Sequence, residues 1–512
     1  MLIMKKIFLF IVIISSLGLS SCSDSTLDLV PLDRVTTDKF FKTRFDFDGA
    51  IFASYSSIQD FWGTSTENLG EMGEFWKITM TITDDIAADD VNADGISRDI
   101  DRLQIRSSDV PFAAIYTQIY EGIFRANLVL ENLDKENALT AQDKTELSAE
   151  AKFLRAWFHF QAMKLFGTPP LALKVGTDIN NLALPNSTKD ELFASILSDF
   201  NDAANGLPES WDASNTGRVT AWAAKSYIGK VNVWKKDWQS AITAFEEVIN
   251  NGPYSLIPNY DDVFAFDNEN NAESIFEIQF GGPRSDDNIW VFDDTHSENF
   301  KASQGIARGW YWDAGNGAPG GKLGWWAPTQ DLVDAFESGD KRVDISLYKS
   351  GDQYFTTFVN LPYDTNWSST NFTLKKYRGQ RNMSPANHSP NQQADFNNER
   401  WFRFAELKLL YAEALIEVGR NGEAITQIND IRNRAGLADL TPEAAANPTA
   451  AMRHEKRVEM AFEPHRWFDI VRWGIGPTVK LGGAWEDRFE VFPFPLSEIT
   501  RSGGLLVQNP GY

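Results

Sequence analysis

The sequence predicts a mostly α-helical protein, a tetratricopeptide-like helical scaffold with a long loop-rich insertion carrying short strands. Three observations predict it. Apolar residues recur at helical spacing through about 34–256 and again through 401–512. Two helix–turn–helix copies place small residues in one shared register. Between them, 257–400 loses the helical period and becomes rich in Gly, Asn, Asp and Trp.

The first 21 residues read as a targeting segment, with Lys5 and Lys6 before the apolar run Ile7 to Ile14. That run is too short to span a bilayer, which takes about 20 residues. Leu19-Ser20-Ser21 leads into Cys22, the only cysteine in the chain, so disulfides and Cys-based metal sites are excluded. Acylation of the Cys22 thiol would anchor the mature chain, since each buried CH₂ contributes about 0.8 kcal/mol. Residues 22–33 are polar, lack a helical period and pass through Pro31, which reads as a tether to a single domain over 34–512. Without Lys5 and Lys6, 46 basic residues face 71 acidic ones, a formal charge of −25. A field of that sign disfavours nucleic acid and other polyanions.

Helical pattern runs from Phe40 and Phe41 through Ile51 and Tyr55, and from Ile115 through Ile119, Ile123 and Leu130. Thr140 with Asp143, and Thr188 with Glu191, are capping pairs that open two further helices. Gly167 and Pro169-Pro170 end the first of them at Phe166. In 217–256, Gly229, Ala241, Phe245 and Pro253 match the small, aromatic and proline positions of the tetratricopeptide repeat. Ala412, Ala424 and Ile428 repeat the first three 183 residues later. The insertion contains short β-like runs such as Ser274 to Phe280. A loop region of such length in a compact protein is usually functional.

The 17 tryptophans are the unusual component. Trp310-Tyr311-Trp312 and Trp325-Trp326 flank a Gly- and Pro-rich stretch, Asp313 to Gly324, that predicts an irregular surface loop. Rings on such a loop are expected to be partly exposed, and an open indole fits the CH face of a sugar ring; the competing reading folds them back as a satellite core under the loop. Asp313, Asn316 and Gln330 stand ready for hydroxyl hydrogen bonds. A second candidate lies earlier, in Trp62 and Trp76 with Asp84 and Asp85; one of these rings could be a surface platform, but each taken singly reads better as core. Asp90, Asn92, Asp94 and Asp101 around Gly95 approximate the spacing of a calcium loop, with Asp101 in place of the usual glutamate; a solvated acidic loop is the competing reading. The five histidines are scattered, with His159 expected in a core, and no HExxH, G-x-S-x-G or P-loop motif appears. A carboxylate pair for glycoside hydrolysis would be recognised only by its separation in space. Arg453 to Trp473 interleaves charge and aromatics, read as an internal salt-bridge network in which Arg466 and Asp469 form an i,i+3 pair.

With these residues in view, the chain resembles the SusD/RagB family of Bacteroidetes outer-membrane lipoproteins. The carriers are Cys22, the tetratricopeptide-like helices, Pro328-Thr-Gln-Asp-Leu-Val-Asp-Ala-Phe-Glu337, Arg453 to Trp473, Phe492-Pro-Phe-Pro495 with Glu498, and Gln508-Asn-Pro-Gly-Tyr512. The resemblance implies a cell-surface lipoprotein, attached through Cys22, that binds oligo- or polysaccharide and delivers it to a SusC-like TonB-dependent transporter without catalysis or cofactor. It implies glycan contacts from Trp76, Asp84, Trp310, Trp312, Trp325, Trp326 and Gln330. The few cations near 310–326 (Arg308 and Lys322) point to a neutral glycan, with a β-glucan such as laminarin as the expectation. The rival readings are an envelope scaffold for a protein partner and a glycoside hydrolase.

Overall fold

The computed structural model describes residues 40–59, 74–88, 93, 95–176, 182–280, 312, 314–315, 318, 324–355, 360–379, 382, 396–479 and 485–512. Within them, the helices of seven residues or more are α1 Arg44–Gln59, α2 Glu74–Met80, α3 Gly95–Asp101, α4 Val110–Asn132, α5 Ala141–Phe166 and α6 Lys189–Gly206. They continue with α7 Ala221–Lys235, α8 Trp238–Asn251, α9 Phe404–Glu417, α10 Asn421–Arg434, α11 Pro448–Glu459 and α12 Arg466–Trp473. Each of α4 to α8 packs on the next, α8 packs on α9, and α9 on α10 and α11. The scaffold is therefore a continuous helical stack of tetratricopeptide type, broken in sequence but not in space.

Local chemistry sets the helix ends. Thr140 and Asp143 form a full capping box at α5, and Thr188 and Glu191 form another at α6. Gly167, at φ 75°, ends α5 in a conformation that side-chain-bearing residues avoid. The repeat residues explain the packing of neighbouring helices. A Cβ on Gly229 of α7 would lie 2.3 Å from the Phe245 ring of α8, and one on Gly122 of α4 would lie 2.1 Å from Phe158 of α5. Only a missing side chain lets those backbones close. In the second copy Ala412, Ala424 and Ile428 are likewise fully buried.

The insertion contributes small antiparallel pairs, each of two strands: β1 Ile86–Ala87 with β3 Ala327–Pro328, β2 Ser274–Ile278 with β8 Glu399–Arg403, β4 Leu347–Tyr348 with β7 Thr373–Leu374, and β5 Gln353–Phe355 with β6 Asn360–Pro362. The β2–β8 pair brings the two ends of the insertion together at the entrance to α9.

That junction is held by buried charge. Arg403 on β8 bonds Glu273 at 2.7 Å, Glu459 at 2.5 Å and Glu463 at 2.8 Å, with all four side chains fully buried. Arg342 joins Glu455 and Glu459, Lys376 joins Glu463, and Arg434 joins Glu273 and Glu459. Phe462 takes φ 63°, unusual for a bulky residue, in the turn that presents Ala461 O and Glu463 to Lys376. The charged C-terminal segment is thus an internal network, but one expected pair is absent. Arg466 bonds Asp84, while Asp469 bonds Lys456 and, at i+3, Arg472.

The chain's final residues close the other end of the core. Gln508 exchanges two hydrogen bonds with the backbone of Phe494, both 2.8 Å, and Asn509 donates to the carbonyls of Phe166 and Phe492. Phe492 and Phe494 are thereby seated, fully buried, against Phe112, Trp467 and Phe166.

Candidate functional site

The two candidate regions, far apart in sequence, meet in space. The β1–β3 pair joins Ile86 and Ala87 to Pro328 and Ala327. Thr329 reinforces the joint: its N–H donates to Asp85 O at 2.9 Å and its hydroxyl to Asp84 O at 2.7 Å. The same hydroxyl caps the short helix Gln330–Ala335, which explains the Thr-Gln-Asp-Leu-Val-Asp-Ala pattern. Trp76 of α2 and Trp312 of the insertion stand 5.2 Å apart, tilted by 42°.

The rings meet as core, which corrects the exposure expected of Trp312 and Trp326 and agrees with the core reading of Trp76 as a single ring. Trp76 and Trp312 have no accessible surface, and Trp326 retains 1%. Trp312 packs on Tyr377, and the Trp326 indole N–H points to Ser97 Oγ at 3.4 Å. None of the three offers an open face to a sugar. Asp84 is also committed elsewhere. Arg466 grips both its oxygens, at 2.8 and 2.7 Å, and Arg457 lies at 3.2 Å. Burial alone would raise this carboxyl, but the hydrogen bonds and charge of Arg466, with the charge of Arg457, outweigh it and hold the group below its ordinary value. Asp84 therefore locks α12 to the early segment.

Two of the expected residues keep access to solvent. Trp325 is half-buried, and Gln330 is exposed, its amide bonded to Asp334 at 2.8 Å. Trp310 lies outside the described residues, as do Asp313, Asn316 and Cys22. Of the calcium-loop residues, Asp90, Asn92 and Asp94 also lie outside them. Asp101 is buried at the end of α3, accepting from Ala88 N at 3.4 Å, and Gly95 opens that helix without a left-handed φ. Among the described residues no group of three or more His, Cys, Asp or Glu side chains is arranged to hold a metal ion.

Sequence reasoning missed the seat of Ala314, Gly315 and Ala318. Tyr348, Tyr354 and Tyr363 form a small core with Ala314 and Ala318, and Trp367 covers it, half-buried. Gly315 N donates to Trp367 O at 3.1 Å, and Ala314 N to the Tyr354 hydroxyl at 3.3 Å. The signal was the density of large aromatics within 348–367, six in twenty residues. His159 is the satisfied core residue expected: it contacts Arg155 O through Nδ1 at 3.0 Å and accepts from Ala172 N through Nε2 at 3.2 Å. Burial first, then the charge of Arg155, pushes its pKa down to about 3.

Comparison with known proteins matches residues 272–487 to the SusD family and residues 50–233 to a family described as starch-binding and associating with the outer membrane. The chain belongs to the SusD/RagB family. Among its SusD-like relatives, the SusD-like protein P2 of Formosa agariphila is 26% identical over 98% of this chain and 99% of its own. The starch-binding protein SusD of Bacteroides thetaiotaomicron is 23% identical over 98% of both chains. Among solved structures, a SusD-like protein of Bacteroides fragilis superposes with a TM-score of 0.78, at 24% identity, covering 94% of this chain and all of that one. Surface glycan-binding protein A of Bacteroides thetaiotaomicron, in complex with laminarihexaose, gives 0.73 at 20% identity, covering 91% of this chain and all of that one. The SusD relatives named for an activity are binding proteins, not enzymes. The family's description associates it with the outer membrane, and among the described residues no helix is long and apolar enough to cross one.

Proposed function

We propose that this chain is a surface lipoprotein, anchored through Cys22, that captures a neutral oligo- or polysaccharide and passes it to a SusC-like TonB-dependent transporter. The observation that carries the reading is the match of 50–233 to a starch-binding, outer-membrane-associating family. The architecture supports it: the helical stack is tied by buried ion pairs, and the insertion leaves Gln330 exposed and Trp325 half-buried. Recognition would rest on ring stacking and hydroxyl hydrogen bonds, with no bond broken in the sugar. A β-glucan such as laminarin is the first ligand to try, because a laminarihexaose-bound protein shares the fold.

A glycan array probed with the chain lacking residues 1–22 tests this directly. Binding to neutral glycans without release of reducing ends is the expected result. Silence across the array would favour a protein-binding scaffold, and reducing-end release would favour a hydrolase; either outcome ends the proposal.

A further inference from the structure

Away from the Trp325 region, a groove runs between α1, the loop after α6 and the end of β2. Its first hollow, about 250 Å³, is walled by Phe52 and Gln59 of α1, by Gly217 and Arg218, and by Gln279. Past Gly217 and Arg218 it continues into a second hollow of about 240 Å³, walled by Trp211, Tyr254 and Asn270. Each is somewhat smaller than the roughly 300–1,000 Å³ of a site for a drug-sized molecule, and suits a sugar ring.

The walls have a consistent chemistry. Phe52 is 50% exposed, in a protein where most rings are buried, and Trp211 is half-buried. Trp211 is held in place by its indole N–H, which donates to Val219 O at 2.8 Å. Between the two rings lies the Arg218 guanidinium, 5.4 Å from the Phe52 centroid and 4.5 Å from that of Trp211. Arg218 is spoken for: it bonds fully buried Glu150 through Nε at 3.0 Å and through Nη2, and pairs with Asp48 at 2.9 Å and Asn215 at 3.0 Å. Its charge is matched within the wall, leaving a flat aromatic and guanidinium surface rather than an anion receptor.

Beside Glu277 and Thr216, the facing polar groups include amides. Asn270 and Gln279 exchange two hydrogen bonds, at 2.9 and 3.0 Å. Asn398 donates to Gln279 Oε1 at 2.9 Å and Gln279 Nε2 donates to Glu277 O at 3.1 Å, which fills Gln279 and leaves exposed Asn270 one donor and one lone pair. Gly217 makes room for that amide, since a Cβ there would lie 2.4 Å from Gln279 Cγ. Side-chain amides carry donors and acceptors together, as a hydroxyl-bearing neutral ligand requires.

We propose that this groove is a second saccharide subsite, taking neutral pyranose units against Phe52 and Trp211, with Asn270, held in place by Gln279, bonding their hydroxyls through its remaining donor and lone pair. The proposal rests on the glycan-binding reading above and adds to it a place remote from the insertion's tryptophans.

Affinity gels containing laminarin, starch, xylan or β-mannan test it with the mature chain and two exposed-site variants. Phe52→Ala removes a stacking face, and Thr216→Trp fills the groove from an exposed position. In whichever gel retards the wild type, both variants are expected to bind about fivefold more weakly at an unchanged melting temperature. Variants with wild-type melting temperature and wild-type retardation would overturn the subsite while leaving glycan binding intact, and would point to a protein contact there. A wild type retarded by none of the four gels would overturn the glycan-binding reading, and the subsite with it.

Discussion

Trp325 and Trp326 are neighbours in sequence with opposite roles, and truncating each separates fold from function. Trp326 is 1% exposed, so Trp326→Ala deletes a buried ring and leaves a cavity, which costs about 3–5 kcal/mol. A chain of this length, with roughly 2.1 cal/mol/K of unfolding entropy per residue, has a total near 1 kcal/mol/K, so the melting temperature should fall by about 3–5 °C. Trp325 is only half-buried, and its loss should cost about 1–2 kcal/mol, or about 1–2 °C. Ligand binding should show the reverse order. Trp325→Ala should weaken glycan binding about tenfold, while Trp326→Ala, assayed well below its melting point, should bind nearly as wild type. Scanning calorimetry and isothermal titration on the two variants give both orders. The reasoning fails if Trp326→Ala melts within a degree of wild type and loses binding, because the ring would then stand on the ligand face.

Three further outcomes are expected. Gly229→Val should destabilise by about 1–3 kcal/mol in urea, since its side chain would enter the space of the Phe245 ring 2.3 Å away; an unchanged midpoint would mean that α7 and α8 can part freely. Arg403→Met should cost about 3–5 kcal/mol, because it leaves Glu273, Glu459 and Glu463 buried around a missing cation, and a loss under about 1 kcal/mol would show that the network carries little of the junction. His159 predicts acid sensitivity. Its native pKa is about 3 against about 6.5 unfolded, so below pH 6.5 the unfolded chain takes up a proton that the native state refuses. The histidine's contribution is complete above that pH and is lost as pH falls toward 3, at up to about 1.4 kcal/mol per unit. His159→Leu should be less stable at pH 7 yet decline less steeply between pH 6.5 and 4; parallel curves for the two proteins would contradict the assignment.

Much of the scaffold was legible because its signals are local. A threonine and an acid three residues apart can satisfy each other's backbone N–H groups without help from elsewhere in the chain, so Thr140 with Asp143 and Thr188 with Glu191 marked real helix starts. Gly229 and Phe245 were legible for a related reason: they lie on consecutive helices joined by a short turn, and the same register returns at Ala412 and Ile428. The aromatic cluster was legible as a place but not as an orientation. A Gly- and Pro-rich loop argues for a surface position, yet its Ala314 and Ala318 sit on a tyrosine core built from residues farther along the chain.

The sequence by itself determined the periodicity, the caps and the repeat register, since each depends on neighbours within a turn or two of chain. Tertiary structure alone decided which faces remained open and which charges were satisfied. Trp76 and Trp312 close on one another across more than two hundred residues. Arg466, with Asp469 three residues away, reaches instead to Asp84, 382 positions distant. Burial and ion pairing are properties of surfaces brought together from remote segments, and the periodicity within any one segment is the same whether its partner arrives or not.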